Sequence, residues 1–341
     1  MMIRSVCHFL SRWLPMSPII WLFFLLFVMT MVALDLGVFH RKIEAPSVRD
    51  ALIWTSVWIS LSLIFNVIVF MLYENNYPWA SLSTEHLDGA EAASQFFLGY
   101  VLEKSLSVDN IFVIAMVFAY FRVPLELQHR VLFWGILGAV VLRGVMIALG
   151  VTLINSFDWI PYVFGALLIY TAVKMLVLRE ETVEPGENSL VRLARRWLPF
   201  TDRFHAQHFF IKVKGRYVAT PLFLALLMVE SSDVMFAVDS IPAVFAVTRD
   251  PFIVFTSNIF AILGLRSLYF VLAGYMERFR YLKHSLVFVL AYVGVKMMMS
   301  NHYHIPAGVS LAVILGILLV GVMASIHGGD KDPYPLKSPL D

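Results

Sequence analysis

Nine runs of about twenty mostly apolar residues recur along this chain, at 19–39, 51–73, 96–121, 131–151, 158–178, 220–247, 252–274, 281–299 and 304–326. Each is long enough to cross a bilayer. Inside lipid a single spanning segment can satisfy its own backbone N–H and C=O groups only as a helix. The runs therefore predict an all-α polytopic membrane protein with nine transmembrane helices. Composition agrees, since 60% apolar against 15% charged residues over 341 positions is more hydrophobic surface than one soluble core would bury. Arg4 and Arg12 precede the first run as in a signal peptide, but that run is of spanning length and lacks a small-residue cleavage pattern, so it reads as a helix that stays. The single cysteine, Cys7, rules out an internal disulfide and leaves no cluster for soft metals.

The net charge of +2 says little about partners, because in a membrane protein the placement of charge among loops matters more. No nucleic-acid partner is expected. With the N-terminus outside, the segments on the cytoplasmic side hold most of the Lys and Arg, above all the loop 179–218, while only Arg4, Arg12 and Arg249 fall outside. That bias predicts an outside N-terminus and a cytoplasmic C-terminus. Within the long loop, Arg192, Arg195 and Arg196 flank an apolar helical face suited to an interface, and FFIKVKGRYVAT alternates around Gly215 like a short hairpin.

The run 220–247 departs from the apolar rule. It carries Glu230, Asp233 and Asp239, with Pro242 just behind. Carboxylates at membrane depth cost several kcal/mol each, so they are expected to line a polar cavity or to find partners rather than face lipid. The run 96–121 carries a similar set. In LEKSLSVDNIF, Glu103 stands six residues before Asp109, and in SDVMFAVDSIP, Asp233 stands six residues before Asp239. Each later Asp is followed by a polar residue, Asn110 or Ser240.

Further matches follow in the same order. FRVP answers TRDP, ILGAVVLR ending at Arg143 answers IFAILGLR ending at Arg266, and GALLIYTAVKM with Lys174 answers LAYVGVKMM with Lys296. Such an ordered series marks an internal repeat of three helices. The loop charges make the two units opposite in orientation, a 3+3 inverted repeat whose interface near the midplane is where a substrate would sit. The chain then divides into 1–95 (leader and first two helices), 96–178 (first repeat), 179–218 (basic cytoplasmic linker), 219–299 (second repeat) and 300–341 (last helix and tail).

On a regular helix Glu230 and Asp233 lie about 60° apart, whereas Asp239 points about 120° away from Asp233. A break at Pro242 is expected to bring them together. Carboxylates of Glu103, Asp109, Glu230, Asp233 and Asp239, the amide of Asn110 and the hydroxyl of Ser240 are all oxygen donors, suited to Mn²⁺, Mg²⁺ or Ca²⁺. The rival reading is internal pairing with Lys104, Arg143, Lys174, Arg266 and Lys296. Asp35, near the end of the first run, is either a headgroup-level charge or part of the site.

These motifs resemble the TerC family of integral membrane proteins, in its Alx-like branch. The resemblance rests on LEKSLSVDNIFV, HFFIKVKGRYVATP, VESSDVMFAVDSIPAVFAVT and SNIFAILGLRSLYF, and extends over nearly the whole chain. It implies a role in metal-ion homeostasis at the bacterial inner membrane, with manganese export the favoured activity, an association with tellurium resistance, and Glu103, Asp109, Glu230, Asp233 and Asp239 as ion-handling residues. The expectation is a secondary transporter exporting manganese(II) in exchange for protons, with no cofactor and no enzymatic activity. No nucleotide-binding loop and no HExxH motif is present. The alternative is a non-transport membrane factor for metal or tellurium resistance that acts through a partner complex.

Overall fold

A computed structural model describes residues 18–39, 48–75, 87–177, 192, 196, 198–201, 203–213, 215–272, 282–300, 303 and 305–327. Among them the chain forms ten α-helices and one β-hairpin. The first five helices are α1 Pro18–Phe39, α2 Val48–Glu74, α3 Gly89–Phe121, α4 Leu125–Ser156 and α5 Ile160–Val177. The hairpin, β1 Phe210–Val213 and β2 Arg216–Ala219, precedes α6 Pro221–Phe245, α7 Pro251–Ile262, α8 Leu265–Leu272, α9 Leu282–Met299 and α10 Ala307–His327. Each apolar run coincides with one helix or, for 252–274, with the pair α7 and α8. By length and hydropathy α2, α4, α5, α6 and α10 can each cross a bilayer, and α7 with α8 makes a sixth if the bent pair is one span. Large apolar side chains such as Phe23, Val141, Leu319 and Val320 stand exposed on outward faces, as lipid-facing surfaces require. This is the architecture of a polytopic membrane protein.

Local chemistry sets where the helices begin. Asp88 caps α3 by accepting the Glu91 N–H at 2.7 Å, and Glu74 at the end of α2 accepts the Gly89 N–H at 3.1 Å. Gly89 lies so near α2 that a Cβ there would come within 2.6 Å of the Phe70 carbonyl oxygen. Asp250 caps α7 through the N–H groups of Phe252 and Ile253 at 2.9 and 3.1 Å, with Pro251 in the first turn, where its missing N–H is not needed. Tyr73 of α2 donates to the other Asp250 oxygen at 2.8 Å. The starts of α3 and α7 are thus both tied to the end of α2.

Apolar side chains gather into two cores. The first joins Phe24, Phe65, Phe96, Phe252 and Phe260 with residues of α4, α5, α6, α9 and α10, its rings in tilted and edge contacts such as Phe65 on Phe260 at 4.6 Å. The second joins Ile111 to Phe118 of α3, Leu127 to Leu132 of α4, Leu222 to Val229 of α6, and Leu265 to Leu272 of α8. Consequently α3 and the α7–α8 pair run from the first core to the second, and α4 and α6 run the other way. Helix α3 packs on both α6 and α7, and α4 packs on both α6 and α7. Helices α5 and α9 cross at their glycines, where a Cβ on Gly165 would stand 2.8 Å from the Gly294 carbonyl oxygen.

The expected hairpin is present, with Phe210 opposite Ala219 and Val213 opposite Arg216, and Gly215 in its turn takes φ 82°. Phe200, Phe204 and Phe209 pack against the second core, and Arg130 of α4 lies over the Phe209 ring. The linker therefore sits at the second core's end of the molecule. Most of the apolar face beside Arg192, Arg195 and Arg196 lies outside the described residues.

The break expected at Pro242 does not occur. Helix α6 continues through it to Phe245, because a proline in the last turn removes only the bond to the Val238 carbonyl and the helix ends soon afterwards. The bend falls instead between α7 and α8, at 41°. Gly264 takes a left-handed φ of 82° there, against Trp58 of α2, where a Cβ would sit 2.7 Å from the indole.

Candidate ion site

Charged side chains occupy the seam between the two cores. Helix α3 leaves the first core at Leu102 and enters the second at Ile111, and between them it presents Glu103, Lys104, Ser107 and Asn110. Helix α6 leaves the second core at Val229 and enters the first at Ala237, presenting Glu230 and Asp233. The step from α7 to α8 lies between Leu263 of the first core and Leu265 of the second, with Asn258 just before it and Arg266 just after. Arg143 of α4 reaches into this seam.

Arg143 is 1% exposed and gathers groups from three other helices. Its Nη1 donates to Glu103 Oε1 in a short contact, to Asn258 Oδ1 at 3.2 Å and to Ser240 Oγ at 3.3 Å, while Nη2 donates to Asp233 Oδ1 at 3.3 Å. Two hydrogens on Nη1 thus serve three acceptors. Ser107 Oγ adds a bond to Glu103 Oε1 at 3.4 Å, and Asn258 is oriented by its own amide, which donates to the Val254 carbonyl at 2.8 Å. Glu103 is fully buried and Asp233 partly buried. One guanidinium cannot saturate two carboxylates. Glu103 Oε2, Asp233 Oδ2 and, one turn along α6, Glu230 Oε2 are all buried without a hydrogen-bond partner among the described residues. Buried carboxylate oxygens left in that condition favour whatever cation can reach them.

The other expected residues take separate places. Glu230 rests against Gly138 of α4, where any Cβ would overlap its carboxylate. Asp239, half-buried, accepts a bond from Thr171 Oγ1 of α5 at 3.0 Å and feels the Lys174 ammonium one turn further on. It faces away from Asp233, as an unbroken α6 dictates. Asn110 and Ser240 are buried, and Arg266 is 3% exposed. Lys174 and Lys296 close the last turns of α5 and α9, where they complement the helix dipoles. Lys104 Nζ donates to the Ala261 carbonyl at 3.1 Å, at the end of α7, where helical carbonyls lack intrahelical partners. The side chains of Asp35 and Asp109 lie outside the described residues, although both positions are helical.

Among the described residues, no three His, Cys, Asp or Glu side chains converge closely enough to hold a metal ion. In this arrangement the convergence point of Glu103 and Asp233 is held by Arg143. Asn258 and Thr171 are members of the site that sequence reasoning passed over. The polar pair Ser257 and Asn258 inside an apolar run was the available signal for the first; nothing marked Thr171.

Residues 88–330 match the integral membrane protein TerC family. A Myxococcus xanthus protein named "Uncharacterized membrane protein STKORF319" is 51% identical over 91% of this chain and 92% of its own length. The Escherichia coli K12 protein named "Putative membrane-bound redox modulator Alx" is 49% identical over 89% of this chain and 93% of its own. A Rickettsia bellii membrane protein is 38% identical over 90% and 96%. No solved structure matches the chain.

Proposed function

Because the chain belongs to the integral membrane protein TerC family, we propose that it is a secondary transporter exporting divalent manganese across the bacterial plasma membrane in exchange for protons, for metal homeostasis. One observation carries this reading: one carboxylate oxygen each of Glu103, Asp233 and Glu230 is buried without a partner among the described residues, in a polar seam between two apolar cores. The oxygens of Glu103 and Asp233 suit a hard divalent cation, and Ser240 and Asn110 can complete its shell. Asp109 and Asp239 serve the same ion along its path. Carboxylates must be deprotonated to ligate a metal, so protons and metal compete for one set of groups, and that competition couples their flows.

The polytopic frame for this transport is nine spans, with α7 and α8 as one, and an inverted 3+3 repeat of α3–α5 and α6–α9. Two features support it. Helix α3 runs opposite to α6, its repeat counterpart, between the two cores. The packing also exchanges correctly, since α3 on α7 answers α4 on α6, while α3 on α6, α4 on α7 and α5 on α9 each answer themselves. Glu103 and Asp233 are repeat-related, and their meeting on one arginine is what residues near a two-fold axis would do. The basic linker, placed at the second core, makes that end cytoplasmic, with the N-terminus outside and the C-terminus inside.

A redox role of the kind that the Escherichia coli relative's name suggests would be indirect in this chain, which has only Cys7 and hence no internal dithiol. Proteoliposomes carrying the purified protein and an imposed pH gradient test the proposal. Manganese should accumulate with wild type and fall to the protein-free level with Asp109→Asn or Asp239→Asn. Equal flux in all three removes these acids from the path.

A further inference from the structure

We propose that Arg143 is a tethered stand-in for the transported cation: it holds Glu103 and Asp233 while the site is empty, and swings to Glu230 when a divalent ion displaces it. The inference rests on the reading of the chain as a divalent-cation carrier.

Geometry distinguishes this from a permanent ion pair. A fixed arginine clamp uses parallel two-point bonds to one carboxylate. Arg143 instead spreads one nitrogen over Glu103, Ser240 and Asn258, touches Asp233 with the other, and leaves its own Nε without a hydrogen bond among the described residues. It occupies the crossing point of α3, α4, α6 and α7 in the manner of a centrally placed ion. Both acids keep an oxygen in reserve.

A destination for the displaced guanidinium is present. Glu230 lies three residues before Asp233 on α6, so the two carboxylates are neighbours on one face, about 60° apart and less than a turn in height. Its Oε2 is buried without a partner among the described residues. The room it occupies exists because position 138 on Arg143's own helix is glycine.

Charge closes the argument. With a divalent ion on Glu103 and Asp233 and Arg143 on Glu230, each of these three carboxylates has a cation beside it. With Arg143 alone the three carboxylates, when ionised, exceed it by two. Lys104 lies in the same seam but is engaged at the Ala261 carbonyl, so of the nearby bases it is Arg143 that holds the central acids. In the empty carrier the guanidinium guards the two central carboxylates, and an incoming ion must pay the difference between the two pairings.

An internal competitor lowers apparent affinity by the fraction of time it is displaced. Titration of the full-length protein in lipid nanodiscs with Mn²⁺, followed by calorimetry, reads this out. Arg143→Gln should bind Mn²⁺ about tenfold or more tightly than wild type, with Arg143→Lys between them, since an ammonium is a weaker bridge between two carboxylates. A merely structural arginine would give weaker binding in both. Glu230→Gln should weaken Mn²⁺ binding about tenfold in the wild-type background and have no effect beside Arg143→Gln. Equal weakening in both backgrounds would make Glu230 a ligand and overturn the swing. If Arg143→Gln fails to fold, Arg143→Lys decides the question alone, and binding no tighter than wild type overturns the proposal. Wild-type protein that binds no Mn²⁺ would instead remove the carrier reading on which the inference stands.

Discussion

Helix α4 and the α7–α8 pair carry similar motifs, ILGAVVLR and IFAILGLR, that each end in a buried arginine, yet one is continuous over Leu125–Ser156 and the other bends by 41°. The aligned residues two positions before the arginines are Val141 and Gly264. Val141 is an exposed residue of a regular helix; Gly264 adopts φ 82° against Trp58. An unbroken helix fixes Arg143 in register with the acids of α3 and α6. The broken one frees carbonyls at the end of α7, one of which takes Lys104, and starts a new helix for Arg266. The two segments thus divide the labour, one supplying a cation and the other a helix end to the same seam.

Substitutions that attack this contrast should have graded effects. The largest is expected from Arg143→Ala, which strands Glu103 and Asp233 and should cost about 3–5 kcal/mol of stability, seen as a lowered thermal midpoint in detergent. Gly264→Ala should follow, at about 2–3 kcal/mol, because the left-handed backbone is strained for any Cβ and the indole of Trp58 leaves no space. Asp250→Ala removes the α7 cap and the Tyr73 bond and should lose about 1–2 kcal/mol, whereas α4, which starts at Pro124 without a side-chain cap, has no equivalent to lose. The smallest belongs to Val141→Gly, under about 1 kcal/mol, since a glycine in an exposed helix interior weakens α4 without bending it. A thermal midpoint for Val141→Gly as low as that for Gly264→Ala would mean that the two segments differ less than their backbones do.

The sequence spoke most clearly where one physical requirement dominates. Lipid demands unbroken helical hydrogen bonding, so each long apolar run coincided with a helix, and the alternation around Gly215 coincided with a hairpin. Helix starts were less visible: α3 begins at Gly89 rather than 96 because Asp88 and Glu74 hold a polar first turn that hydropathy does not register. The location of the bend was misjudged, since a proline is conspicuous but harmless in a last turn, and a glycine is inconspicuous but decisive where φ must be positive. Acids at membrane depth marked the site. Their division, with Glu103 and Asp233 on Arg143 and Asp239 on Thr171, depends on which way an unbroken α6 rotates its side chains, and that followed only once Pro242 was seen not to interrupt it.

The central claim is that the polar seam binds a divalent ion where Arg143 now lies. Anomalous diffraction at the manganese edge, from crystals of the full chain grown with Mn²⁺, tests it directly. The account predicts a peak between Glu103 of α3 and Asp233 of α6, with the Arg143 guanidinium moved toward Glu230. A peak confined to the surface, with Arg143 still joining Glu103 and Asp233, would contradict it.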